Sequence, residues 1–185
     1  MKKCLLWGTG DCFNKNVNLV RYYELLGQFE VIGVTSNSTM YSEILGYKFI
    51  RKMELDKSIF DFVLIMAEGA KVLEIYREIE KLGVQREEYF TFKILQLPNF
   101  DLEKYLSIRQ NPPSLFASNC WGGVTYHSLE LEFESPLINL VLSEEDYLKL
   151  LSEPKKYMEA ELEYVENDYV YLCKRHIPSH DAGIY

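Results

Sequence analysis

Polar and apolar positions alternate between two rhythms over the first hundred or so residues. Cys4-Leu5-Leu6-Trp7, Phe29 to Thr35 and Phe60 to Ala67 are short, nearly unbroken apolar runs, the pattern of strands buried on both faces. Strands are predicted over 3–7, 29–35, 47–50, 60–67 and 89–95. Between them the spacing becomes helical. Val72, Ile75, Tyr76, Ile79 and Leu82 recur at three- and four-residue intervals and Gly83 follows, predicting a helix with a glycine stop. A second helix is predicted over 14–26, stopped by Gly27, and a short third over 102–108. Strands alternating with helices imply a mostly parallel sheet, so the fold class is α/β.

Asn111-Pro112-Pro113 interrupts this rhythm, because two prolines continue neither a helix nor a central strand. The domains expected are therefore 1–110 and 111–185. In the second, 114–118 and 137–142 read as strands, with a helix over 124–129. Ser143 followed three residues later by Asp146 predicts a capped helix that ends before Pro154. Residues 161–173 read as a hairpin turning at Asn167-Asp168. This second, smaller α/β domain is expected to be incomplete, since Tyr185 reads as falling inside an element.

The first domain carries its chemistry in the turn after its first strand, Trp7-Gly8-Thr9-Gly10-Asp11. Glycines at a strand-to-helix turn let a phosphate approach the backbone, and the helix start offers N–H groups to it. Gly8, Thr9, Gly10 and Asp11 are the expected phosphate contacts, with Ser36 and Asn37 beside the ribose or sugar. Two parts of the dinucleotide fingerprint are missing. Its third small residue is replaced by Phe13, a ring expected to hold the helix off the sheet or to turn elsewhere, and the second strand ends Thr35-Ser36-Asn37-Ser38 with no carboxylate. Both speak against an NAD-dependent oxidoreductase. Together with Phe60 to Ile65, the opening turn resembles the Rossmann-like N-terminal domains of sugar-modifying enzymes in bacterial polysaccharide pathways. That likeness extends over residues 1 to about 95.

The second domain carries Ser118-Asn119-Cys120-Trp121-Gly122-Gly123-Val124-Thr125-Tyr126. Asn119, Trp121, Gly122 and Gly123 are read as a substrate-binding turn, the paired glycines as an anion nest. Cys120 at a helix start is a candidate nucleophile, with His127 or His176 as acid or base; a structural thiol beside a packed tryptophan is the plainer alternative. This run, followed by Glu134-Ser135-Pro136-Leu137-Ile138-Asn139 and by 142–151, resembles a bacterial exopolysaccharide biosynthesis protein family of unknown function, over residues 112–185. The resemblance implies a pathway rather than a reaction.

Charge narrows the partners. The net charge is −8, and residues 1–110 balance fifteen basic against fifteen acidic side chains, so all of it lies after residue 110. An acidic half repels nucleic-acid phosphates, so no nucleic-acid partner is expected. No apolar run has the length of a membrane span and none has the form of an export signal, so the expected location is the cytoplasm. The four cysteines are scattered and read as reduced thiols. Pro178 between His176 and His180 argues against a helical metal pair beside Arg175 and Asp181, so no metal is expected; the cofactor is unknown. Glu130, Glu132 and Glu134 read as one solvated strand face. Exposed tyrosine and leucine would suit a homodimer. The reading that results is a protein acting on a nucleotide-sugar or sugar phosphate held between its halves, as a transferase of surface-polysaccharide assembly. The alternative is a non-catalytic nucleotide-sugar-binding or scaffolding module.

Overall fold

The computed structural model describes residues 1–37, 42–137 and 140–160, and these divide into two compact units. The first is Met1–Pro113 together with His127–Glu132. Its centre is a four-stranded sheet in the order β2-β1-β5-β6, formed by β1 (Lys2–Trp7), β2 (Phe29–Thr35), β5 (Phe62–Ile65) and β6 (Tyr89–Thr91), with every pair parallel. A two-stranded antiparallel hairpin, β3 (Glu43–Ile44) and β4 (Tyr47–Lys48), forms a separate small sheet. Just past β4, Phe49 bridges Val34 of β2 in parallel. A Cβ on Gly33 would lie 2.7 Å from the Lys48 carbonyl oxygen, so β2 needs glycine there to admit that segment.

The unbroken apolar runs have the expected cause. Cys4 and Leu6 of β1 enter one core with Phe62 and Leu64 of β5, while Leu5 and Trp7 enter a second core with Val63 and Ile65. Both faces of the sheet are covered. On the first face lie α1 (Asp11–Leu25), through Phe13, Val17, Val20 and Tyr23, and α3 (Leu102–Gln110), through Leu102 and Tyr105. On the second face lies α2 (Ala70–Lys81), through Ile75 and Ile79. Phe13 is thus a fully buried core residue on α1. Helix α1 stops where the glycine signal places it. Gly27 has φ +70, its N–H bonds to the Glu24 carbonyl at 2.9 Å, and the Gln28 N–H bonds to the Tyr23 carbonyl at 3.0 Å, which is a Schellman closure.

Two expectations fail in this unit. The strand read over 89–95 ends at Thr91, and Phe92–Gln96 is a 3₁₀ turn whose Phe92, Ile94 and Leu95 are buried. An apolar run fits a buried turn as well as a strand. Glu130 is no part of a solvated strand face. It adopts φ +50, and its carboxylate accepts the Thr91 backbone N–H, at 3.1 Å to Oε2, and the Thr91 hydroxyl.

The second unit comprises Ser114–Tyr126 and residues from Phe133 on. Its described elements are α4 (Trp121–Ser128), whose final two residues count with the first unit, α5 (Glu144–Ser152) and α6 (Pro154–Glu159). Among the described residues it holds no strand. At 114–118 the chain makes isolated contacts instead of a ladder: Leu115 N–H donates to the Tyr126 hydroxyl at 2.9 Å, and Ser118 O accepts from Leu142 N–H at 2.8 Å. Leu137 sits in a turn, Leu140 and Val141 are exposed, and 138–139 lie outside the described residues. Helix α5 starts as predicted, with Ser143 Oγ accepting the Asp146 N–H at 3.1 Å. The expected hairpin over 161–173, and Arg175, His176, His180 and Asp181, also lie outside the described residues. No helix among the described residues is long and apolar enough to cross a membrane.

Candidate functional site

The sheet topology singles out one place. Strand β1 leads through α1 to β2 on one side, and β5 leads through α2 to β6 on the other, with the two helices on opposite faces. Between the carboxyl ends of β1 and β5 the chain directions diverge, and in open parallel sheets that divergence opens a crevice. A cleft of 830 Å³ lies there, within the size range of small-molecule sites. The turn after β1 and the turn after β5 both line it. Gly8, Thr9, Gly10, Asp11, Ser36 and Asn37 are all in its wall.

Gly8 and Gly10 do different work. Gly8 has φ +124, its N–H donates to the Thr35 carbonyl at 2.9 Å, and a Cβ on it would lie 2.7 Å from the Met66 carbonyl oxygen. Its amide is spent on the sheet, so Gly8 shapes the turn and does not offer the N–H that a bare glycine-turn pattern suggests. Gly10 is the N-cap of α1, and a Cβ there would meet nothing within 4 Å. No side chain caps α1. Helix α2 is built alike, with Gly69 as its N-cap and again no side-chain cap. By contrast, Asp101 caps α3 and Ser143 caps α5 with side-chain oxygens. Two helix starts with no capping side chain therefore open onto one cleft, each with its positive dipole end toward it.

The wall adds charges of both signs: Lys15 and Lys71 against Asp11, Glu68 and Glu74. Glu68 is engaged by Lys93 at 3.6 Å. None of Lys15, Lys71 or Glu74 was singled out by the sequence reading. The available signal was repetition, since Gly69 follows β5 much as Gly10 follows β1, and each lysine sits in the opening turns of the helix that results.

Cys12 also lines the cleft. Burial raises its thiol pKa and the Glu68 charge raises it further; the Asn16 amide, 3.9 Å from the sulfur, and the charges of Lys93 and Lys15 act against this. A raised pKa keeps the thiol protonated to higher pH. Alkylation of Cys12 by iodoacetamide is therefore expected to accelerate only above the ordinary thiol range, as peptide mass spectrometry across a pH series would measure.

The remaining candidates lie elsewhere. Asn119, Cys120 and Trp121 are at the start of α4 in the second unit, where Asn119 Oδ1 accepts the Trp121 N–H at 2.9 Å. Cys120 and Trp121 are exposed, so the sequence picture of a buried thiol beside a packed tryptophan does not hold. Gly122 and Gly123 are buried inside the helix, and a Cβ on Gly122 would press to 3.3 Å on the Ala117 Cβ. Close packing thus accounts for at least one of the paired glycines. His127, also exposed, is near the opposite end of α4 from Cys120. None of these residues is in the cleft wall. Among the described residues no group of three or more His, Cys, Asp or Glu side chains could hold a metal ion.

No curated protein matches the chain. Residues 91–179 match a domain of unknown function, DUF1919, and residues 1–90 match the family described as C2185-like, N-terminal. The chain is thus similar, half by half, to two domain families that meet at the end of β6.

Proposed function

We propose that the first unit is a Rossmann-like binding domain whose cleft takes a nucleotide-sugar or sugar phosphate, and that the protein serves surface-polysaccharide biosynthesis in the cytoplasm. The supporting observation is the convergence of two glycine-capped helix starts, with Lys15 and Lys71, on one cleft at the carboxyl edge of a parallel sheet. Uncapped N–H groups and the dipole favour a bound anion, and a phosphate is the anion such turns hold. The strand that should supply a ribose carboxylate ends instead at Thr35-Ser36-Asn37, so NAD is disfavoured.

A transfer reaction would need an acid, base or nucleophile at the ligand. The cleft wall of the first unit offers the carboxylates of Asp11, Glu68 and Glu74 for proton transfer, while Cys12 is held as a thiol. The second reading is a binding or scaffolding module, which the same cleft would serve without turnover.

Thermal denaturation of the full chain with UDP-glucose, UDP or NAD tests the proposal. A ligand that binds only the folded state, present at a hundred times its Kd, adds about 2.7 kcal/mol, or roughly 5–10 °C for a chain of this size. That rise is expected with UDP-glucose and absent with NAD. A rise with NAD alone would overturn the reading.

A further inference from the structure

One residue in the cleft has its chemistry fixed by the core. Trp7 is fully buried at the end of β1, and its indole Nε1–H donates to Asn37 Oδ1 at 3.0 Å. An indole N–H can only donate, so the atom facing it must be the amide oxygen. The Asn37 carbonyl thereby gives one of its two lone pairs to Trp7, and the two Nδ2 hydrogens of this exposed side chain remain as donors for a ligand.

Glu74 lines the same cleft, one turn into α2. Neighbouring carboxylates on that helix are engaged: Glu78 by Lys52 and Lys81, and Glu80 by the Tyr89 hydroxyl. Glu74 is exposed and has no such partner among the described residues. Asn37 and Glu74 also occur together in a neighbouring groove of 750 Å³ along α2, so the two side chains border one continuous stretch of surface.

A sugar hydroxyl both accepts and donates. Asn37 can give to it through Nδ2, and the Glu74 carboxylate can take from it. We infer that Asn37 and Glu74 form a hydroxyl-reading pair for the pentose or hexose ring of the ligand, with Glu74 of α2 supplying the carboxylate that β2 lacks. The inference rests on the cleft's being a nucleotide-sugar or sugar-phosphate site, and it adds which part of the ligand is read and by which atoms. A ligand with phosphates but no ring gains nothing from Glu74 and is repelled by its charge.

Isothermal titration of the full chain with UDP-glucose and with inorganic pyrophosphate separates the two levels. Glu74→Ala removes the acceptor on an exposed helix position. Asn37→Asp keeps an oxygen for Trp7 and removes both donors. Each is expected to weaken UDP-glucose about ten-fold or more, the loss of one hydrogen bond to a charged or fixed polar group. Glu74→Ala should leave pyrophosphate at least as tightly bound as before. UDP-glucose affinity within two-fold of the unmodified protein in Glu74→Ala would overturn the pair, as would equal weakening of both probes. Pyrophosphate binding with no added affinity for UDP-glucose would overturn the pair and leave the phosphate reading standing. If neither probe binds the unmodified protein, the cleft reading falls and takes the pair with it.

Discussion

Arg109→Met is expected to cost the fold about 3 kcal/mol, read as a lower urea midpoint at unchanged slope. Arg109 is almost fully buried at the end of α3. Its guanidinium donates to the carbonyls of Glu87 at 3.0 Å, Tyr89 at 3.1 Å and Glu130 at 2.9 Å, to the Arg86 carbonyl, and to the Tyr105 hydroxyl at 3.0 Å. The rings of Phe90 and Tyr105 lie under its charge. Methionine keeps the bulk and deletes every one of these donors, so the part-buried carbonyls of Arg86, Glu87 and Glu130 lose this partner, while the Tyr89 carbonyl keeps the Arg86 guanidinium. Lysine should not rescue it, because three donors at one point cannot span a set of acceptors that the planar fork reaches. Full stability in Arg109→Met would mean that water replaces the guanidinium and that 127–132 are not pinned by it.

Gly8→Ala is expected to cost about 3 kcal/mol or more and to abolish any ligand-induced thermal shift. The position combines a left-handed φ with a contact that a Cβ would make with backbone, the kind that cannot turn aside. Gly10→Ala provides the contrast. Its φ of −85 suits any residue and the space beside it is open, so stability should fall by no more than about 1 kcal/mol, the usual difference between glycine and alanine at an N-cap. Ligand binding in Gly10→Ala should nonetheless weaken, because the methyl would stand where a phosphate approaches. Urea melts and the UDP-glucose thermal shift, measured on both variants, separate shaping from contact.

Much of the first unit was legible in the sequence. Strands buried on both faces advertise themselves as apolar runs, and Gly27 and Gly83 stop helices by a local rule that tertiary structure leaves alone. Ser143 capped its helix for the same reason. What escaped the reading depends on residues far apart in the chain. Nothing near Glu130 announces that its carboxylate meets Thr91, thirty-nine residues away. Arg109 left a fainter trace, since it continues the buried stripe of α3 after Leu102 and Tyr105, where a charge is out of place. At the cleft, glycine spacing revealed the turn after β1 but not its counterpart after β5, nor that the Gly8 amide would already be occupied. The strands expected in the second unit rested on short apolar runs alone, which specify burial more than backbone form.

The seam between the two family matches does not coincide with the seam in the packing. Phe92, Ile94, Leu95, Phe100, Leu102 and Tyr105 all follow residue 90, yet they complete the core on the α1 face of the sheet. The matched regions are consequently not interchangeable cassettes. Grafting a different partner onto residue 90 would import half of someone else's interior, whereas a junction beyond Glu132 would carry the whole greasy lining, with its arginine clasp, as one inheritance.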